Sequence, residues 1–275
     1  MRIHILTDNR TKRRGILAEH GLSVFIEHEK TNILFDTGQS NVFCLNATQM
    51  KVDLNKTDYI VLSHGHYDHC GGLVHFSNSN SFPKVYIHKD AFAKRYAINT
   101  DGKSYREIGI PWKLDDYEHI KSNIIFNKKS LQIASNINLY TEIPVNEAFE
   151  EVNRGFYLEN GINKYIDTMR DEQMLIFDTD NGLVVFLGCS HPGVINCLNY
   201  ALEQYSGRKI NTLVAGMHLD SVSPLRLKTT IKYLSDFGIQ NIVPLHCTGL
   251  LPIYEMKQLL GNRCIPLCAG DTFEI

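Results

Sequence analysis

The sequence predicts an α/β protein with two similar layers of β-sheet and helices outside them. Three observations predict it. Short apolar runs of strand type alternate with helical stretches. Both halves of the chain open with a hairpin before that alternation begins. Strand after strand then ends in a loop that carries a histidine. No Pro/Gly/Ser-rich linker interrupts the 275 residues, so we expect one domain spanning 1–275.

The elements follow in order. Met1 to Asp8 reads as a strand. Leu22–Glu27 and Asn32–Asp36 flank the polar turn His28-Glu29-Lys30-Thr31 and read as a hairpin. Residues 41–51 are a helix candidate. Tyr59–Ser63 is a short buried strand that runs into a His-rich turn, and Val85–His88 is the next strand. Residues 94–123 are polar and aperiodic, and residues 146–172 are irregular and charged. Both read as loop insertions, placed here near an active site because long irregular segments in compact domains often serve as lids or binding loops. Between them, residues 124–143 alternate enough for two or three strands. Gln173–Phe177 and Leu183–Leu187 form a second hairpin, followed by a helix over 194–205 and a strand over Ile210–Ala215. A helix over Pro224–Phe237 has Pro in its first turn and Leu227, Ile231 and Leu234 on one face. The strand Ile239–Leu245 and a helix over 252–260 complete the pattern. We find no internal repeat.

Composition narrows the function classes. Hydrophobic residues make up 43% and charged residues 21%, enough apolar content for a sizeable core, so the disordered class is excluded. The formal net charge of −2 lacks the basic footprint of a nucleic-acid binder. Arg10-Thr11-Lys12-Arg13-Arg14 is the one basic cluster and reads as a solvated loop, with a phosphate-bearing substrate as the alternative. No apolar run reaches the roughly 18 residues of a membrane span. The N-terminus lacks the features of a signal peptide, and seven cysteines are an odd count. We therefore expect a cytoplasmic protein with free thiols, no nucleic-acid or membrane partner and a small-molecule substrate. The oligomeric state is left open.

The chemistry concentrates in Ser63-His64-Gly65-His66-Tyr67-Asp68-His69-Cys70-Gly71-Gly72, directly after a buried strand. Three imidazoles and a carboxylate within six positions can grip divalent metals from one short loop. His64 and His66 point the same way if the backbone is extended. Asp68 and His69 are then free to face a neighbouring position. Gly71 and Gly72 allow the chain to turn closely beneath.

This H-x-H-x-D-H loop, with Leu34-Phe35-Asp36-Thr37-Gly38 upstream, resembles the metallo-β-lactamase superfamily. The resemblance implies a four-layer αββα sandwich over the whole chain, with two loop insertions at about 94–123 and 146–172. It also implies a mono- or binuclear divalent metal centre, zinc first, with iron or manganese as alternatives. His64 and His66 would ligate one metal, and Asp68 and His69 a second. Asp36 would lie behind them and orient a ligand. His191 and His246, at late strand ends, match further ligands. The chain departs from the common pattern where strand 183–187 ends in Gly-Cys-Ser-His instead of Gly-Asp. Cys189 stands where a bridging Asp is expected and is a candidate ligand. Asp171 and Glu172 stand where another His is expected. His218 ends a neighbouring strand and, with Asp68, is the candidate for proton transfer. Cys70 and Cys247 also adjoin motif histidines, with a thiol packed in the core as the simpler reading.

Thr141-Glu142-Ile143-Pro144, Gly188-Cys189-Ser190-His191-Pro192-Gly193-Val194-Ile195-Asn196, Gly216-Met217-His218-Leu219 and Pro244-Leu245-His246-Cys247-Thr248-Gly249 occur in this order. Together they resemble the subfamily that includes the dihydropterin ribofuranosyl-aminobenzene 5′-phosphate synthases of methanopterin biosynthesis. The resemblance implies a metal-dependent enzyme for hydrolysis or for phosphate-ester or diphosphate chemistry. Lys94, Arg95, Lys103 and Arg106 are candidate phosphate contacts. Trp112 reads as a cap over the substrate or as surface packing. An iron-containing redox or oxygen-sensing protein and a non-catalytic metal-binding module are the competing readings.

Overall fold

The computed structural model describes residues 1–78, 81–152 and 155–275. Its chain forms two compact units. One comprises Met1–Lys128, Asn153–Asp171 and Cys268–Ile275, and the other Lys129–Val152 and Glu172–Leu267.

The first unit is built on a seven-stranded mixed sheet. Its order is Thr272–Glu274, Arg2–Thr7, Ser23–His28, Thr31–Phe35, Tyr59–Val61, Lys84–His88 and Ile124–Asn127. Pairing is antiparallel as far as Thr31–Phe35 and parallel beyond it. The hairpin closes through Glu29 and Lys30, with Glu29 in the left-handed region. Parallel strands are covered on both faces, which is why Tyr59–Leu62 reads as a continuous apolar run. The helix Val42–Met50 buries Phe43 and Ala47 into a core with Leu6, Phe25, Leu34, Ile60, Leu62 and Ile87. Each such side chain taken fully out of water contributes about 1.5–3 kcal/mol.

The two stretches expected to be irregular insertions are not structureless. Arg95–Ile98 and Tyr105–Glu107 from one pair with Phe156–Asn160 and Asn163–Ile166 from the other in a four-stranded antiparallel sheet. These strands are short and, apart from Arg95 and Ala97, half-buried or exposed, so they lack the apolar alternation that marks a strand in sequence. Residues 153 and 154 of the second stretch lie outside the described residues. Trp112 does not stand over a cleft. It is buried in the first unit's core, and its Nε1 donates to the Cys70 carbonyl at 2.9 Å.

The second unit carries a six-stranded mixed sheet. Its order is Asn241–Leu245, Ile210–Gly216, Gly182–Leu187, Met174–Thr179, Ile137–Tyr140 and Leu131–Ala134. The first three strands are parallel and the remainder antiparallel. Helix Pro224–Asp236 starts at Ser223, whose hydroxyl accepts from Arg226 N, with Pro224 at the first helical position. Its buried Leu227, Thr230, Ile231 and Leu234 form one stripe. Helix Val194–Gln204 buries Val194, Ile195, Cys197, Leu198 and Ala201. These residues join Leu183, Val185, Leu213, Ala215 and Ile242 in that unit's core.

Among the described residues no helix is long and apolar enough to cross a membrane. None of the seven cysteines is joined in a disulfide.

Candidate functional site

In each unit the candidate residues lie just past the carboxyl ends of adjacent parallel strands, the position at which α/β sheets place their ligands. In the first unit, Asp36 follows Thr31–Phe35, and Ser63 and His64 follow Tyr59–Val61. In the second, Cys189 and His191 follow Gly182–Leu187, His218 follows Ile210–Gly216, and His246 follows Asn241–Leu245.

Asp36 organises the first cluster. It is fully buried with a left-handed backbone (φ 57°), which a bare carboxylate side chain tolerates better than most. Its Oδ1 accepts from Ser63 N at 2.7 Å, and its Oδ2 accepts from Ser63 Oγ at 2.7 Å. Oδ2 also lies 2.7 Å from His69 Nδ1. In the neutral imidazole the nitrogen that faces this carboxylate, Nδ1, carries the proton, and the lone pair is on Nε2. The Ser63 hydroxyl spends its hydrogen on Asp36. It therefore accepts at 2.9 Å from His64 Nδ1, and the His64 lone pair is likewise on Nε2. One carboxylate thus sets the tautomers of two histidines, one directly and one through a serine.

The imidazoles sit close together. The ring centroids of His64 are 4.5 Å from those of His66 and 4.2 Å from those of His69, and His64 Nε2 is 3.0 Å from His66 Nδ1. Burial, reinforced by the positive charge of Arg95, pushes the His66 pKa down to about 3, so its ring is neutral near pH 7. Asp68 is buried, with Oδ2 3.1 Å from His20 Nε2 and 3.8 Å from His69 Nε2. His20, which sequence reasoning left aside, joins this cluster, and nothing in its local sequence marks it. Imidazoles with directed lone pairs beside a carboxylate are donors that zinc, iron or manganese accept, so this set fits a divalent metal.

Close backbone packing holds the loop. A Cβ on Gly65 would meet Ala91 O at 2.0 Å, and one on Gly72 would meet Thr37 O at 2.0 Å. Both positions are closed to any side chain. Cys70 is buried, its thiol donates to the His64 carbonyl at 2.9 Å, and burial holds its pKa well above the ordinary value. It is a packed thiol.

In the second unit, Glu172 organises the Gly188–Gly193 loop. Its Oε1 accepts from Cys189 N at 3.2 Å and Ser190 N at 3.1 Å, and its Oε2 from His191 N at 3.4 Å. Ser190 has φ 55°, and its hydroxyl donates to Gly216 O. His218 and His246 also have left-handed backbones, both at φ 48°. Such conformations in non-glycine residues are uncommon and cluster where structure is over-determined for function. Here they recur at the ends of three neighbouring strands. The His191 and His218 rings are 4.8 Å apart. Cys247 accepts from His218 N at 3.3 Å, which ties the last two strand ends together. Cys189, His191 and His246 are all buried, and His218 is half-buried.

The carboxylates at 171 and 172 prove to have backbone partners. Glu172 receives amides as described, and Asp171 accepts from Gly65 N. Arg95 is not available to a phosphate, because its buried guanidinium pairs with Asp171 and Asp167. Lys94 pairs with Glu159, and Lys12 and Arg13 pair with Asp271.

Comparison with known proteins agrees with this architecture. Residues 17–191 match the profile of the metallo-beta-lactamase superfamily. An uncharacterized protein of Methanocaldococcus jannaschii is 34% identical over 260 residues, covering 94% of each chain. The 7,8-dihydropterin-6-methyl-4-(beta-D-ribofuranosyl)-aminobenzene-5′-phosphate synthase of the same organism is 29% identical over 242 residues, covering 84% of this chain and 82% of that one. A crystal structure of a metal-dependent hydrolase of the beta-lactamase superfamily superposes with a TM-score of 0.85 at 30% identity, covering 100% of this chain and 99% of the other. The fold is the metallo-β-lactamase fold that the H-x-H-x-D-H loop implied, and the chain belongs to the metallo-beta-lactamase superfamily.

Proposed function

We propose that the protein is a metal-dependent enzyme acting on an ester, phosphate ester or diphosphate of a small molecule. The observation that carries this reading is the Asp36 carboxylate, which fixes the protons of His69 and, through Ser63, of His64 on Nδ1. Metal-ligating histidines need that orientation, and outer carboxylates supply it.

The donors in this reading are His64, His66, Asp68 and His69 in the first unit and Cys189, His191 and His246 in the second. A metal held by either set of donors would lower the pKa of a water molecule and would polarise a carbonyl or phosphoryl oxygen. Zinc suits the imidazole-rich set, and iron or manganese would serve the same donors. The chain's own residues hold and move the proton. Asp68 offers a carboxylate oxygen beside His20 in the first unit. His218 offers a half-buried imidazole beside His191 in the second.

Substrate class is drawn from the relatives. The 29% identical synthase favours a phosphorylated pterin-type substrate. The 30% identical hydrolase favours attack by water. The basic side chains named above do not strengthen the phosphate reading, since Arg95, Lys94, Lys12 and Arg13 already have carboxylate partners.

The test is a turnover screen of phosphodiesters, lactones and pterin diphosphates with metal-reconstituted protein. We expect one class to turn over, with activity lost on chelation and in His66→Ala. Turnover that survives both treatments would overturn the metal-dependent reading.

A further inference from the structure

We propose that Arg95 and Asp171 are positioning residues that hold the His64–His66 backbone in the shape that captures metal. This inference rests on the metal-dependent reading above and assigns a role to the inserted four-stranded sheet.

Asp171 Oδ2 receives two donors, Gly65 N at 2.8 Å and Arg95 Nη1 at 2.7 Å. Gly65 is the residue between His64 and His66. Its peptide is thus held from two sides. The amide hydrogen is taken by Asp171, and the α-carbon lies so close to Ala91 O that no Cβ fits. Arg95 is 1% exposed. Its Nη1 donates to Asp171 and its Nη2 to Asp90 O at 3.3 Å, while Asp167 Oδ2 lies 3.2 Å from Nε as an ion pair.

Burying one guanidinium with two carboxylates is a poor way to gain stability, because desolvation offsets most of the attraction. Well-packed apolar side chains of similar volume would serve at least as well. What apolar residues cannot do is accept the Gly65 amide hydrogen. A fork-shaped cation, donating through Nη1 to Asp171 and through Nη2 to the Asp90 carbonyl, holds the Asp171 oxygen at one point in space. Arg95 opens a strand of the small sheet, and Asp167 and Asp171 follow its last strand. The sheet therefore acts as the scaffold for the clamp.

The experiment measures Zn²⁺ affinity by competition with a chromophoric chelator, together with the melting temperature of the metal-free protein. The proteins compared are wild type, Asp171→Asn, Asp167→Asn and Arg95→Lys. The clamp predicts that Asp171→Asn lowers affinity about 10- to 100-fold, the range seen when partners that orient metal ligands are lost. Arg95→Lys, which keeps the charge and loses the fork, gives a smaller loss in the same direction. Asp167→Asn, which touches Arg95 but not Gly65, lowers the melting temperature and leaves affinity within a factor of about three of wild type. If both aspartate variants lower the melting temperature and neither changes affinity, the ion pairs are structural and the proposal fails. Should Asp171→Asn not fold, Asp171→Glu carries the same test, since it keeps the charge and moves the oxygen away from Gly65 N. If wild type itself binds no Zn²⁺, the metal reading fails and the clamp with it. That outcome is distinct from a wild type that binds and an Asp171 variant that binds equally well.

Discussion

Asp36 Oδ2 and His69 Nδ1 lie 2.7 Å apart, both fully buried, and the same carboxylate holds Ser63 through its amide and its hydroxyl. Three donors converge on one acid, and all three belong to the Ser63–Gly72 loop that carries the candidate ligands. The relationship decides which nitrogen of each histidine is available. The first prediction follows from it directly.

Asp36→Asn keeps a side chain that tolerates the left-handed backbone at this position. It replaces an acceptor-only group with one that presents hydrogens to Ser63 or His69. We expect metal affinity to fall about 10- to 100-fold with the fold retained. Chelator competition and far-UV circular dichroism measure the two effects. Unchanged affinity would show that the Asp36 contact does not orient a ligand.

His66→Ala removes a donor without touching either hydrophobic core. We expect loss of activity and lower metal content in elemental analysis, with the circular dichroism spectrum retained. A variant with full turnover would remove His66 from the site.

Gly65→Ala and Gly72→Ala each drive a Cβ against a main-chain carbonyl at 2.0 Å, a group that cannot swing aside. Overpacking of this kind costs about 1–3 kcal/mol. We expect lower urea midpoints for both variants, and an unchanged midpoint for Gly65→Ala would contradict the packing described beneath the loop.

The sequence showed some of these relationships and hid others for a physical reason. The H-x-H-x-D-H loop is contiguous, and a local cluster after an apolar strand is visible without any knowledge of the fold. The same holds for His191, His218 and His246, because each ends a strand whose apolar run is fully buried. Arg95, Asp167 and Asp171 are different. Seventy or more positions separate Arg95 from its carboxylates, and a charged residue in a polar stretch looks solvated until its partners are known. From the sequence alone Arg95 therefore reads as a candidate phosphate contact. The small sheet was hidden for a related reason, since pairing between two distant insertions leaves no periodic trace in either one. Asp171 and Glu172 stand out in the sequence only by their position in the family pattern. Their use as acceptors for backbone amides has no sequence signature.

Glu150 supplies a pH-dependent prediction. It is buried, and its carboxylate accepts from Ile195 N and Asn196 N at the start of helix Val194–Gln204. Burial raises its pKa above the ordinary 4.5, opposed by those two amides and by Arg226, with Glu147 adding to the rise. The folded state therefore holds this proton more tightly than the unfolded chain does. Stability from this group is present below the ordinary value and is lost as pH rises through the raised one. Glu150→Gln keeps an acceptor and removes the charge. Its melting temperature relative to wild type should rise as pH increases above the ordinary carboxylate value. A constant difference across that range would show that Glu150 does not titrate as described.

The most direct test of the central claim is elemental analysis of protein purified without chelator and then reconstituted with divalent metal. The account predicts about one or two zinc, manganese or iron ions per chain, with His66→Ala binding fewer while remaining folded. A folded wild-type protein that retains no divalent ion after reconstitution would contradict it.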